Sequence, residues 1–321
     1  MSPDFPIATL DLVIIAGYFL IVFAIGYVVA QQTESGDDLF LAGRSLAWGT
    51  IGFSLFASNI SSTTMIGLAG DAYRMGIAVS NYEWMAGVVL VFIAIFFVPF
   101  FIRSGLTTIP EYLEKRFNVQ SRKYFSGLTI FTSVVIDTAG GIYAGTLVLK
   151  TFFPDLIPGL GPEMDFYVVC FILALIAGIY TAAGGLAAVV YTDILQAIIL
   201  LVGSTFIAVI TFGQFDFSWA QATAQLPEGH LSLMQPMDSE GLPWLGTLVG
   251  VPILGFYYWG LNQYIVQRIL GARDLKNARW GAILGGALKL LPLFIMVLPG
   301  AFAFTLYPDL ASPDMVFPTL V

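Results

Sequence analysis

Ser54 to Gly70 reads SLFASNISSTTMIGLAG, an uncharged stretch lying where a membrane span should be, in which seven of seventeen residues are Ser, Thr or Asn. These side chains hydrogen-bond to nearby backbone and compete with the helical ladder. In hydrocarbon an unpaired backbone group is costly, so such a span is stable where it faces a polar cavity or a ligand. The stretch therefore predicts a broken helix that exposes carbonyls to a cation, as in secondary transporters. The alternative is a helix–helix contact face, since Ser, Thr and Gly also let backbones approach closely.

Composition agrees with a membrane setting. Of the 321 residues 58% are hydrophobic and 11% charged, and the mean hydropathy is +0.85, values of a multi-pass membrane protein and not of a soluble domain. The net charge of −8, from 13 basic and 21 acidic residues, says little about partners until it is mapped onto loops, and nothing in it points to nucleic acid. The single cysteine, Cys170, lies in an apolar run and excludes an internal disulfide. The lone His230 falls in a polar loop, so no metal or nucleophile constellation can be assembled and an enzyme is not expected. No cofactor is expected either.

Eight apolar runs are long enough to cross a bilayer: 7–30, 46–70, 77–102, 124–150, 166–184, 187–212, 243–268 and 280–306. The first lacks a basic leader and holds Asp11, so it is a retained span and not a cleaved signal. With the amino terminus outside, the inner loops collect Arg44, Arg103, Lys115, Arg116, Arg122, Lys123, Arg268, Arg273, Lys276 and Arg279, against Arg74 and Lys150 outside. That is a strong positive-inside bias and predicts a multi-pass protein of the cell membrane. Residues 213–241 hold Asp216, Glu228, Asp238 and Glu240 but no basic residue, and form an acidic outer loop with a short helix around FSWAQATAQL.

Ionisable residues within spans are candidate functional groups because they are costly in lipid. They are Glu83 in SNYEWMA, Asp137 in VVIDTAGG, Asp193 in YTDILQ and Lys289 in GALKLLP. Lys289 lies ten residues past Arg279, about 15 Å along a helix, too deep to snorkel easily. Glu83 is its expected partner. Asp193 has a second reading, as a helix cap beside Thr192. Around GFYYWGLNQYIVQR, Tyr257, Tyr258 and Trp259 cannot all face one side of a helix, so at least one faces a central cavity, where an aromatic ring suits the apolar face of a sugar. An interfacial aromatic belt is the alternative.

The motifs FLAGRSL at 40–46, SLFASNIS at 54–61, YEWM at 82–85, TIPEYLEKRF at 108–117, YTAAGGLAAVVYTDILQ at 180–196, YYWGLNQYIVQR at 257–268 and LKLLPLFIMVLPG at 288–300 resemble the sodium:solute symporter family, on its sodium/glucose cotransporter branch. The resemblance implies an all-α membrane protein of LeuT-like fold. It would have an extra first helix (7–30), a first five-helix repeat (46–212) and the start of an inverted second repeat (243–306). It also implies sodium on the backbone carbonyls of Ala57 and Ile60, with Asp193 influencing coupling. For the sugar it implies Asn59, Glu83 and Lys289 as hydrogen-bonding groups, Tyr258 as the stacking ring, and Tyr82 and Trp259 as pocket wall.

Three positions depart from known sugar carriers of the family: Thr64 replaces a larger polar side chain, Gly255 replaces Asn or Thr, and Asp137 stands where a bacterial carrier has an amide. Each alters a hydrogen bond of about 0.5–1.5 kcal/mol. The expected function is sodium-coupled symport of a glucose- or galactose-like sugar. Symport of an inositol or organic acid, or a membrane input domain of a solute sensor, are the alternatives. The second repeat is expected to be truncated, and these residues alone are expected not to transport.

Overall fold

The computed structural model describes residues 8–31, 34–153, 157, 159, 161–239 and 241–321. Residue 7, which opens the first expected run, and Glu240 lie outside them. Among the described residues the regular structure is helical, and the only extended pairings are two isolated bridges, Leu46 with Ala272 and Gln235 with Pro243. In order the helices are α1 (Thr9–Ala30), α2 (Gly36–Leu41), α3 (Trp48–Asn59), α4 (Ser62–Met75), α5 (Asn81–Arg103), α6 (Ile109–Arg116), α7 (Val119–Thr132), α8 (Ala139–Phe152), α9 (Pro162–Gly213), α10 (Trp219–Thr223), α11 (Val251–Gly260), α12 (Gln263–Leu270), α13 (Leu275–Leu288), α14 (Leu298–Leu306) and α15 (Val316–Leu320). Wider π-helical turns join α7 to α8 over Ser133–Thr138, lead into α11 over Gly246–Gly250, and precede α14 over Leu293–Val297.

By length and composition, six described helical stretches are suited to cross a membrane: Thr9–Ala30, Ser62–Arg103, Val119–Lys150, Glu163–Ala182, Gly184–Gly213 and Leu275–Leu306. The two expected runs missing from that set, 46–70 and 243–268, are both broken. The first part of one, α3, has 12 residues and is too short to cross alone, and the helical path that enters α11 through Gly246–Gly250 ends at Gly260, short of the end of the other run. The second span also extends further than expected, because α4 runs on to Met75 before the chain turns through Gly76–Ser80 into α5. Within α9 the helical path is interrupted at Gly185, whose φ of 58° and ψ of −156° separate the two expected runs.

The core is built on α13, which packs between α3 and α5. Gly281, Gly285 and Gly286 on α13 allow this. A Cβ on Gly87 would meet the Gly286 carbonyl oxygen at 2.9 Å, and one on Gly286 would meet that of Gly87 at 3.1 Å, so the backbones of α5 and α13 touch there. Around this contact Ile51, Leu55, Leu90, Ile93, Ala278 and Ala282 are buried together. Asp274 caps α13 by accepting from the Asn277 backbone N–H at 2.7 Å, while Asn277 Oδ1 accepts from the Trp48 N–H at 3.0 Å and ties the start of α13 to that of α3. The Asn277 N–H holds the Asp274 carboxyl below its ordinary range, so the cap persists until the pH falls through that lowered value.

Peripheral elements match their sequence. Only Gly26 is buried on α1, against the Tyr180 ring of α9, and no residue of α7 is buried. The acidic loop contains the expected short helix, α10, capped by Ser218. His230 is buried and not solvated as a polar-loop residue would be: its carbonyl accepts from the Ile77 N–H at 2.7 Å, seating the loop against Gly76, where a Cβ would collide at 2.1 Å. Gly286→Leu is expected to lower stability by about 1–3 kcal/mol through overpacking, whereas Gly17→Ala, with nothing within 4 Å of its Cβ, is neutral or mildly stabilising. Thermal unfolding in detergent compares the two, and equal effects would contradict the close-contact argument.

Candidate functional site

The Ser54–Gly70 stretch is broken where its polar residues cluster. Helix α3 ends at Asn59, Ile60 turns to an extended conformation (φ −97°, ψ 97°), and Ser61 caps α4 by accepting from the Thr64 N–H. The break is spanned twice more: the Ile60 N–H donates to the Ala57 carbonyl at 3.1 Å, and the Thr64 hydroxyl donates to the Asn59 carbonyl at 3.1 Å. A helix end leaves its last carbonyls without intrahelical donors, so this corner offers oxygen ligands suited to a hard cation.

Lys289 reaches the same corner. Pro292 cannot continue the ladder, and α13 ends in tightened turns, with Leu290 and Leu291 N–H groups donating to the Ala287 and Leu288 carbonyls at 3.1 Å. Lys289 is fully buried. Its Nζ lies 2.6 Å from Glu83 Oε2 on α5 and donates to Asn59 Oδ1. The same ammonium lies 5.7 Å from the Phe56 ring centre and 5.5 Å from that of Trp259, at cation–π distance. The expected Glu83–Lys289 pair thus forms, and Asn59 and Trp259 join it.

A second broken helix supplies the aromatic side. After α11 the Leu261 and Asn262 N–H groups both donate to the Tyr257 carbonyl at 3.0 Å, and Asn262 caps α12. Tyr258 packs edge-on against Trp259, and its hydroxyl is 2.7 Å from that of Tyr264. Tyr258 therefore stands next to the Lys289 cluster, linked to it through Trp259. Gly255 has a Val89 methyl at 3.0 Å from its Cβ position, so a side chain there would need Val89 to yield by a few tenths of an ångström.

Three other expected site residues, Tyr82, Asp137 and Asp193, make no hydrogen bond to the Lys289 cluster. Tyr82 is 43% exposed and takes no part in the bonded cluster, although its neighbour Glu83 is buried. Asp137 lies on the exposed π-helical turn between α7 and α8, outside the bonded cluster but within electrostatic reach of the Tyr258 and Tyr264 hydroxyls. Asp193 does not cap a helix start, because α9 is continuous around it and it lies about two turns past the Gly185 break. Thr192 instead bonds back to the Ala188 carbonyl at 3.0 Å.

Asp193 forms a second buried ion pair. Its Oδ2 accepts from Ser54 Oγ at 2.5 Å, Ser58 Oγ at 2.9 Å and Arg268 at 3.2 Å, while Arg268 Nε donates to Ser54 Oγ at 2.7 Å. Arg268 was expected in an inner loop, yet it is only 5% exposed. Its spacing carried the missed signal, since Ile265, Arg268 and Ile269 fall on one helical face and that face is buried. Ser54 and Ser58, one turn apart on α3, are not distinguished in the sequence from the rest of the polar stretch.

Two broken helices thus meet at buried, paired charges, in an all-helical fold of LeuT-like type. Residues 39–318 match the sodium:solute symporter family, and the chain belongs to that family. Over 326 residues it is 37% identical to solute carrier family 5 member 4 of Rattus norvegicus, covering 94% of this chain and 47% of that protein. It is 38% identical to sodium/glucose cotransporter 1 of Oryctolagus cuniculus (93% and 47% covered), and 34% identical to a sodium/glucose cotransporter of Vibrio parahaemolyticus (94% and 56%). The chain spans about half the length of the curated relatives it matches. The fold is similar to that of a substrate-bound, outward-open sodium-coupled sialic acid symporter, with a TM-score of 0.83 at 23% identity, covering 97% of this chain and 65% of that one.

Removing one member of a buried ion pair strands the other. Glu83→Leu alone is expected to cost about 3–5 kcal/mol, and Glu83→Leu with Lys289→Met to recover most of it. A double-mutant cycle by denaturant unfolding in detergent checks this, and additive losses would contradict direct pairing.

Proposed function

We propose that the protein carries out sodium-coupled symport of a hexose-like sugar across the cell membrane, with its amino terminus outside. The observation that carries this reading is the cluster of Glu83, Lys289 and Asn59 beside the α3–α4 break. Together these side chains offer a carboxylate, an ammonium and an amide at one buried point, and each keeps hydrogen-bonding capacity for further groups. Neighbouring sugar hydroxyls need such alternating donors and acceptors, and Tyr258 supplies a ring for the apolar face of the sugar. The kinship with sodium/glucose cotransporters supports the same substrate class.

Sodium is assigned to the carbonyls of Ala57 and Ile60, which belong to the same corner as Asn59. An ion there would hold the break in one geometry and so fix the Asn59 amide toward the sugar. The two ligands then stabilise each other, and the coupling is reciprocal. Asp193, held by Arg268 and two α3 serines, acts on this corner through α3 and not as a direct partner of those carbonyls. The two broken spans open the two halves of an inverted repeat, whose rocking gives alternating access.

Uptake of a panel of labelled sugars by vesicles carrying the full-length protein tests the assignment. Hexose uptake is expected to need sodium, and Glu83→Gln and Lys289→Ala are each expected to remove sugar binding while sodium binding persists. Sodium-independent flux, or normal sugar affinity in both variants, would contradict it.

A further inference from the structure

Where α3 and α13 both begin, Trp48, Arg273, Asp274, Lys276, Asn277 and Trp280 line a half-open cavity of about 670 Å³, apart from the Glu83–Lys289 cluster. Its walls are held rigidly. The Leu46 N–H donates to the Gly271 carbonyl at 3.0 Å, the Arg273 N–H to the Leu46 carbonyl at 3.1 Å, and the Trp48 N–H to Asn277 Oδ1 at 3.0 Å. Lys276 and Trp280 lie one turn apart on α13, Arg273 precedes the extended cap residue Asp274, and Trp48 stands at the start of α3. Both indoles are large apolar groups left about half exposed, 49% for Trp48 and 52% for Trp280.

Two half-exposed tryptophans at the ends of membrane-crossing helices belong at the headgroup level of a bilayer, where the indole is apolar on its faces and donates one N–H. The charges beside them are cationic on balance. Asp274 is the only carboxylate in the lining; it is engaged by the Asn277 N–H at 2.7 Å and the Asn277 amide at 2.8 Å, and touches Arg273 only loosely at 3.8 Å. Arg273 keeps a forked set of donors and Lys276 a point charge, a combination matched to a phosphate oxygen. The basic bias of the surrounding loops puts this end in the cytoplasmic leaflet, which carries the anionic lipids.

We propose that this cavity is a binding site for the headgroup of an anionic phospholipid, the phosphate held by Arg273 and Lys276 and the glycerol and upper chains lying along Trp48 and Trp280. A soluble phosphate would use the two cations but leave both indole faces exposed, so the pair of tryptophans favours a lipid.

The test uses the purified protein in nanodiscs containing a small fraction of dibrominated phosphatidylglycerol or dibrominated phosphatidylcholine, with tryptophan fluorescence as the readout. The share of quenching lost in the Trp48→Phe/Trp280→Phe variant reports the cavity. That share is expected to be larger with phosphatidylglycerol, and its apparent affinity to fall about fivefold for each cation removed in Arg273→Gln and Lys276→Gln. Arg273→Lys/Lys276→Arg, which keeps both charges, is expected to restore most of it and separates loss of charge from loss of folding. Equal quenching by the two lipids, or phosphatidylglycerol quenching unchanged in the Gln variants, would overturn the site. Displacement by millimolar inorganic phosphate with no preference between lipids would assign it to a soluble anion instead.

Discussion

The structure depends on one constraint: Lys289 is fully buried and must be satisfied there. A lone ammonium in a low-dielectric interior is unstable, and breaking its pairing costs several times more than an exposed ion pair is worth. Glu83 and Asn59 meet this need from two other helices, which requires α3, α5 and α13 to converge at one depth. The glycine contact between α5 and α13 and the packing of Leu55 against Gly285 make that convergence possible. Each helix meeting at the site has a local reason to stop there: Ile60 and Ser61 for α3, Leu261 and Asn262 for α11, and the turns before Pro292 for α13.

A second polar centre lies along the same helix. Ser54 and Ser58 hold Asp193 and Arg268, while Phe56 and Asn59 on α3 face Lys289. Arg268 also packs near the Tyr264 ring, whose hydroxyl meets that of Tyr258. The two buried ion pairs are therefore joined through α3 on one side and through a relay of aromatic rings on the other. A displacement of the α3 break would be felt at both.

Much of this was legible in the chain because membranes punish unpaired polarity. Opposite charges at mid-span depth have few ways to be satisfied, so the sequence alone pairs Glu83 with Lys289, and the polar run around Asn59 marks a break. What escaped notice depended on which surfaces meet. Arg268 reads as a loop residue by position and as a core residue by helical face, and only packing against α3 decides between them. The same holds for Asp193, whose place beside Thr192 suggested a cap although α9 runs through it. Gly76, at φ 80°, gave no sign that the His230 loop would seat upon it.

In the proposed function, sodium at the α3–α4 corner and sugar at Glu83, Lys289 and Asn59 stabilise one another through the break. Sodium affinity measured by titration without sugar and at saturating sugar tests it most directly, alongside sugar affinity without and with sodium. Linkage requires the two ratios to be equal, and the account predicts a common factor of about 5–150. A factor of one in both titrations would show that the two sites are independent and would contradict the account.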